Sequence, residues 1–387
     1  MLTKPRLDWV LMLAVLGLVT LGSVLVWSAT TQRADLTGGD PTAYLKKQLV
    51  NVAIGLVLMV LVLATDHRWV RIMAPLVYIA SVAGLVLVLT MGTVVNGSRS
   101  WLMIGGMSIQ PSEFAKLAVV IGMALWVAER HDVRRGRPGG ALGDVAGMLA
   151  IAGLPAGLIL LQPDLGTMLV LSATVFGVIA VSGAPRRWLA LLAGGAVTAA
   201  VAAIAAGVLK QYQVDRFLAF TNPDLDPRGA GYNVEQARIA VGNGGLFGQG
   251  LFDGSQTRAG FVPEQHTDFV FTVAGEELGL VGAGVLIALL GLVIWRALRI
   301  AARTDDVFGR LAAAGIACWF GFQAFQNVGM CLGIMPVTGV PLPFVSYGGS
   351  SMFAGMLAIG LLQNIHLRSN ATVPTRYTMP NRVLVRA

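Results

Sequence analysis

Ten times along this chain apolar residues run on for about the 20 positions a helix needs to cross a bilayer. These runs lie near 9–28, 48–65, 70–91, 112–128, 144–162, 165–183, 188–208, 269–296, 308–333 and 349–367, with short polar punctuation between most of them. Lipid offers no partner for backbone N–H and C=O groups, so each run is read as a helix that satisfies its own. With 55% hydrophobic and only 12% charged residues, and a mean hydropathy of +0.71, an ordinary soluble domain is excluded. The expectation is an all-α polytopic membrane protein of about ten spans, folded as one integral membrane domain over residues 1–387. Lys4 and Arg6 ahead of the first run suggest a signal peptide. That run is longer than the roughly 7–15 residues of a signal core, and no clear small-x-small cleavage site follows, so it is read as the first span.

Charge orients the spans. Placing the N-terminus in the cytoplasm puts most of the 28 Lys and Arg residues in inner segments, among them Arg130, Arg186, Arg187, Arg299, Arg303 and Arg310. Half of the outer ones fall in a single long loop, where they count little in the positive-inside rule. Both termini are therefore expected inside, with a cytoplasmic tail over about 368–387 and one long extracytoplasmic loop, about 209–268, between spans seven and eight. The polar motifs then face outward. Cys318 and Cys331 sit in one predicted helix about 20 Å apart, too far to bridge. No Cys/His cluster has metal-ligand spacing and no G-x-x-x-x-G-K-[ST] loop is present, which removes an ATP-hydrolysing pump. No nucleic-acid partner is expected.

The chemical centre is the stretch from Phe261 to Gly279, which carries Glu264, Gln265, His266, Asp268, Glu276 and Glu277 in a chain poor in charge. Asp268 stands where the long loop meets the eighth apolar run, in reach of water and of lipid headgroups. One reading is that Thr267 and Asp268 merely cap the helix. Glu276 and Glu277 weigh toward chemistry, because an ionisable group at membrane depth costs roughly 2.5–3.5 kcal/mol even on the lenient scale.

Other outer motifs join it. In Gln110-Pro-Ser-Glu-Phe-Ala-Lys116, Pro111 suits a first helical turn and Glu113 and Lys116 share a face. They form either a structural ion pair or, with Arg99, a hold on a phosphate-bearing ligand. Gln162-Pro-Asp-Leu-Gly-Thr167 reads as a turn between helices or as a second carboxylate site, since Asp164 either caps or binds. The glycine series from Gly242 to Gly250 reads as a flexible hairpin or as an anion-approaching backbone. Pro336, Pro341 and Pro343 forbid a helix between Gly333 and Ser351, so an extended or re-entrant segment is expected to wall a cavity, with Ser350 or Ser351 capping the last span.

These motifs, together with Pro263-Glu264, His266-Thr-Asp-Phe269, Gly275-Glu-Glu-Leu-Gly279 and Pro343-Phe-Val-Ser-Tyr-Gly-Gly-Ser-Ser351, closely resemble the SEDS family of bacterial shape, elongation, division and sporulation proteins. The resemblance runs from about Trp9 to Leu367, and Met335 to Pro343 look more like the elongation members than the division members. It implies a ten-span fold and a peptidoglycan glycosyltransferase that polymerises lipid II at the outer face of the bacterial cytoplasmic membrane. It implies a class B penicillin-binding protein as partner, with membrane lipids as surroundings, and Asp268 as the catalytic residue. Elongation-type members often carry Lys where Gln249 stands and Arg where Gln265 stands, so two positive charges are missing here and Arg258 is expected to take over part of their work.

In such a reaction a sugar hydroxyl of one lipid II attacks the anomeric carbon of another and undecaprenyl pyrophosphate leaves. Asp268 would act as general base, giving inversion at the donor carbon by analogy with inverting glycoside hydrolysis. The expected substrate-binding set is Arg99, Glu113, Lys116, Arg216, Arg258, His266, Thr267, Ser346 and Ser350. A divalent cation, Mg2+ or Mn2+, is expected at Asp164 and Asp268. Two other functions remain open at this stage: a lipid II flippase, and a non-enzymatic scaffold for the penicillin-binding protein.

Overall fold

A computed structural model describes residues 6–95, 98–105, 107–133, 142–207, 214, 216 and 229–369. Most of the expected tail, the basic stretch 134–137 and the turn-rich segment 222–228 lie outside these residues. In chain order the helices are α1 (Trp9–Thr31), α2 (Ala34–Thr37), α3 (Ala43–Ala64), α4 (His67–Met91), α5 (Pro111–Val133), α6 (Leu142–Leu161), α7 (Leu165–Val181), α8 (Arg186–Ala205), α9 (Ala230–Asn243), α10 (Ser255–Ala259), α11 (Val270–Glu277), α12 (Gly279–Arg303), α13 (Val307–Leu332) and α14 (Gly349–Ser369).

Eight of these, α1, α3, α4, α5, α6, α12, α13 and α14, are long and apolar enough to cross a membrane. The chain is a multi-pass membrane protein. Two more apolar helices, α7 with 17 residues and α8 with 20, stand where the sixth and seventh spans are expected.

The three helices richest in polar side chains, α5, α13 and α14, are the most buried of the spans. Lipid cannot solvate an amide or a charge, so the sequence places these inside and leaves purely aliphatic faces outside. Helix α13 packs on α5, α7 and α12, α3 packs along α14, and α8 packs on α7. Leu56, Val57, Val60 and Leu61 of α3 and Leu280, Val281 and Val285 of α12 face outward. At one end of the bundle Asp8 caps α1, pairs with Arg296 of α12 and exchanges two hydrogen bonds of 2.9 Å with the Gln363 amide of α14. Three spans are thereby closed together.

The opposite end holds the irregular chain, and the structure departs from the sequence reading there in two ways. Three short segments ahead of α5 are strands in a chain expected to be all-α. They form a three-stranded antiparallel sheet, β1 (Thr93–Val95), β2 (Ser98–Ile104) and β3 (Met107–Ile109), in the order β1-β2-β3.

The eighth apolar run is also broken. Helix α11 stops at Glu277, and Gly279, the first residue of α12, is left-handed at φ +67°. The break is filled by the glycine series. Gln249 and Gly250 donate to the carbonyls of Glu276 and Glu277 at 2.9 and 3.1 Å, and Leu280 and Val281 donate to those of Gly245 and Leu246 at 2.9 and 3.1 Å. A Cβ on Gly244 would lie 1.9 Å from the Gly275 carbonyl oxygen, and one on Gly248 would lie 2.1 Å from that of Glu277. The glycines therefore let two backbones touch. They form neither a flexible hairpin nor an anion cradle.

Candidate active site

Asp268 follows a turn whose first residue, Glu264, takes the left-handed region at φ +50°. The Glu264 carbonyl collects the N–H groups of Thr267, Asp268 and Phe269 at 3.2, 3.0 and 3.2 Å. Non-glycine residues adopt this conformation at a cost, which is paid where the surroundings fix it. Helix α11 starts with Phe269 as N-cap and without any side-chain cap. The capping explanation of Asp268 therefore fails, because the residue lies one position too early and its carboxylate is turned elsewhere.

It turns into a cavity of about 190 Å³. Asp164, Arg216, Glu264, Thr267, Asp268 and Ser350 share its lining, together with the 338–348 segment at Thr338, Gly339, Pro341, Tyr347 and Gly348. The proline-rich segment is thus a cavity wall, as its sequence predicts. Gly339, left-handed at φ +71°, passes so close that a Cβ there would lie 3.2 Å from Asp268 Oδ2. Among the described residues nothing donates a hydrogen bond to the Asp268 carboxylate. Burial first, and then the negative charges of Glu264 and Asp164, push its pKa up to about 7, against the pull of Arg216. A carboxylate poised near neutrality in a cleft is what proton abstraction at physiological pH requires.

The other expected site residues divide sharply. Arg216, Thr267, Ser350 and Asp164 meet Asp268 in the cavity, whereas Arg99, Glu113, Lys116, Arg258, His266 and Ser346 do not line it. Arg99 is exposed and donates to the Leu89 carbonyl at 3.2 Å. Arg258 pairs with Asp253 at 3.3 Å and donates to Gln32 Oε1 at 3.2 Å. Lys116 is fully buried, 2.8 Å from Glu113 Oε1 and 2.7 Å from Gln323 Oε1. This pair is internal, and Gln323 carries its effect onward by donating to the Pro341 carbonyl in the cavity wall at 2.9 Å.

Ser346 Oγ accepts from Leu342 N–H at 2.8 Å and so shapes that wall from behind. Ser350 accepts from Gln110 N–H at 2.8 Å. Rather than capping its own helix, it ties the start of α5 to the start of α14. His266 packs edge-on to Tyr44, ring centroids 4.8 Å apart, and beside Tyr347. Burial lowers its pKa, so its ring stays neutral at pH values where an ordinary histidine begins to take up a proton. Gln249 and Gln265, where positive charges are lacking, are both built into the fold: Gln249 bonds Asn243 O and Ser255 N–H, and Gln265 is buried beside Thr257. Among the described residues Arg216, not Arg258, is the cation that shares the cavity with Asp268.

Glu276 and Glu277 are likewise structural. Glu276 accepts from Ser255 Oγ, Gln256 N–H, Thr257 N–H and Thr257 Oγ1 at 3.2, 2.6, 2.9 and 2.7 Å, and so closes the start of α10. Glu277 accepts from Ser28 Oγ of α1 at 2.5 Å.

Among the described residues no three His, Cys, Asp or Glu side chains are grouped to hold an ion. Both Asp164 oxygens already accept, Oδ1 from Thr167 N–H at 2.9 Å and Oδ2 from Thr167 Oγ1 and Gln110 Nε2 at 2.8 and 3.1 Å. The donor set fits only the looser mode in which Mg2+ keeps waters and shares one or two carboxylates with ligand phosphates.

Sequence reasoning missed Glu264 and Tyr347 as site residues. Both stand inside motifs that were singled out, Glu264 beside Pro263 and Tyr347 within the Val-Ser-Tyr-Gly-Gly stretch. Tyr347 also walls a second cavity of about 290 Å³, lined by Lys46, Lys47, Asn51, Ser108 and Phe353.

Comparison with known proteins agrees along most of the chain. The family model of cell cycle proteins named for FtsW, RodA and SpoVE matches residues 8–371. The peptidoglycan glycosyltransferase MrdB of Escherichia coli K12 is 37% identical over 366 residues, 94% of each chain. Stage V sporulation protein E of Bacillus subtilis is 36% identical over 368 residues, 94% of this chain and 97% of that one. Among solved structures, one described as the structural coordination of polymerization and crosslinking by a peptidoglycan synthase complex superposes with a TM-score of 0.77 at 34% identity, covering 94% of this chain and 98% of the other. The Thermus thermophilus rod shape determining protein RodA superposes at 0.67 and 33% identity, covering 93% and 97%. Matched over more than nine-tenths of its length in sequence and in fold, this chain belongs to the FtsW/RodA/SpoVE family, the SEDS proteins.

Proposed function

We propose that the protein is a peptidoglycan glycosyltransferase that polymerises lipid II at the outer face of the cytoplasmic membrane during elongation. The observation that carries the reading is Asp268, a carboxylate raised to about 7, free of hydrogen-bond donors among the described residues and open to a cavity that also holds Arg216. The acceptor hydroxyl attacks the anomeric carbon of the donor as Asp268 takes its proton. The bond from that carbon to the pyrophosphate oxygen breaks, its electron pair leaves with undecaprenyl pyrophosphate, and the configuration inverts. A phosphate leaving group needs its charge neutralised rather than a proton, and Arg216 is placed for that.

The two cavities that share Tyr347 suit two lipid-linked sugars side by side, with Lys46 and Lys47 at the second. With α7 and α8 read as two further spans, the chain crosses ten times with both termini in the cytoplasm, and on that reading Asp268 faces outward. Asp164 and Asp268 would hold a divalent cation, which would supply further charge neutralisation. No step of the sequence above depends on it. The partner is a class B penicillin-binding protein, since the similar synthase complex combines polymerisation with crosslinking.

Purified protein with that partner and lipid II gives the test. Wild type is expected to yield glycan strands and Asp268→Asn almost none. Full polymerisation by Asp268→Asn overturns the reading.

A further inference from the structure

Along α13 three amide side chains, Gln323, Gln326 and Asn327, occupy positions i, i+3 and i+4 and so share one helix face. All three are buried, and all three donate to the irregular segment behind the cavity. Gln323 bonds Pro341 O at 2.9 Å, Gln326 bonds Pro336 O and Thr338 Oγ1 at 3.0 and 3.1 Å, and Asn327 bonds Val340 O at 2.8 Å. Non-helical backbone at this depth needs such partners.

Asn327 differs from the other two. Its second N–H donates to the main-chain oxygen of Asp268 at 2.7 Å. One side-chain nitrogen therefore spans two separate chain segments: the turn that carries the Asp268 carboxylate, and the strand of wall whose Gly339 approaches Oδ2. Asn327 is fully buried and its Oδ1 has no partner, so both donors are committed to this bridge.

We propose that Asn327 is a positioning residue for the glycosyl transfer, fixing the Asp268 turn against Gly339 of the cavity wall so that the carboxylate stands in its recessed place. The inference rests on the reading of Asp268 as general base. A carboxylate misplaced by about 1 Å loses on the order of a hundredfold in rate. A turn released from the wall also lets water reach the carboxylate, and its pKa returns toward the ordinary range. Among the described residues the charges acting on Asp268 are Glu264 of its own turn, Asp164 at the start of α7 and Arg216 of the long loop, and Cys331, one turn further along α13, in turn feels the Asp268 charge. None of them changes in the substitutions below.

The test compares Asn327→Ala and Asn327→Ser with Gln326→Ala, all as the full chain with its transpeptidase partner, in lipid II polymerisation across pH. Gln326 makes two bonds to the wall and none to the Asp268 turn, so it controls for loss of wall support. Expected for Asn327→Ala is a fall in kcat of tenfold to a hundredfold, on the order of magnitude above, with the acidic limb of the pH profile moving down by about one unit or more. Asn327→Ser, which keeps one donor, falls between it and wild type, and Gln326→Ala leaves the limb where it is. Should the Ala variant fail to fold, the Ser variant is read in the same way. An unmoved acidic limb and unchanged kcat in the folded Asn327 variants, or the same limb shift in Gln326→Ala, overturns the proposal. Asp268→Asn in the same assay separates the two claims: its loss of product with unaffected Asn327 variants sinks only the positioning role.

Discussion

Asp268 and Glu276 lie in one nine-residue stretch, and both are acids sheltered by the bundle, yet their surroundings are opposite. Four donors at 2.6–3.2 Å saturate the Glu276 carboxylate. Asp268 has none among the described residues and a cavity in front of it. A satisfied carboxylate is part of the scaffold, because each bond to the charged form holds it there. An unsatisfied one keeps its affinity for a proton, and its open side is free to act. The cost of sheltering an acid is thus offset locally at Glu276 and left standing at Asp268.

The contrast breaks first at Asp268. Replacing it by Asn is expected to lower polymerisation by about 10²–10⁴-fold, the usual contribution of a general base. The same change should stabilise the protein at high pH. The folded-state pKa of about 7 lies above the ordinary value of 3.8, so the folded form binds the extra proton between those two values. Asp268 then costs stability as pH rises through that window, and the full cost stands above pH 7. Thermal unfolding of Asp268→Asn against wild type should show a gain of about 1–3 kcal/mol at pH 8 and almost none near pH 4. Wild-type kcat should in turn rise with pH up to about 7 and then level. A limb near pH 4 would show that the carboxylate is solvated in the working enzyme.

Glu276→Gln should give the opposite pattern. Two or more charge-assisted bonds are lost, each worth about 1.5–3 kcal/mol, so the folded yield and the unfolding temperature fall. Activity per folded molecule should stay within about threefold of wild type, because the residue faces α10 and not the cavity. A loss of kcat with intact folding would move Glu276 into the chemistry and erase the comparison.

The same logic explains what the sequence could and could not disclose. Apolar length revealed the spans, and prolines 336, 341 and 343 revealed a wall segment, since both follow from backbone constraints that act locally. The sequence also singled out Asp268, because a carboxylate at the start of an apolar run stands out. The break at Gly279 was hidden inside an unbroken apolar run, since its cause lies about 30 residues upstream in the glycines that dock there. Glu276 looked functional because its four donors belong to another segment. Arg258 and Arg216 sit in the same loop with the same charge, and only the fold shows which one reaches the cavity. The amide face of α13 was legible and was passed over: three amides at i, i+3 and i+4 in a membrane helix call for partners.

The sharpest small effect is expected from that pair of arginines. Arg216 lines the cavity and opposes the rise in the Asp268 pKa, so Arg216→Ala should reduce kcat by tenfold or more, on the order expected for removing a charge-stabilising donor. Arg258 is half-exposed and held 3.3 Å from Asp253 at the surface. Such pairs contribute about 0–1 kcal/mol, and Arg258→Ala should therefore change both stability and polymerisation by less than about threefold. Measuring the two variants side by side on lipid II decides whether the missing charges at Gln249 and Gln265 are replaced by Arg216 in the cavity or by Arg258 at the surface. A tenfold loss in Arg258→Ala alone would place the pyrophosphate against α10, and the cavity at Asp268 would then hold the acceptor rather than the leaving group.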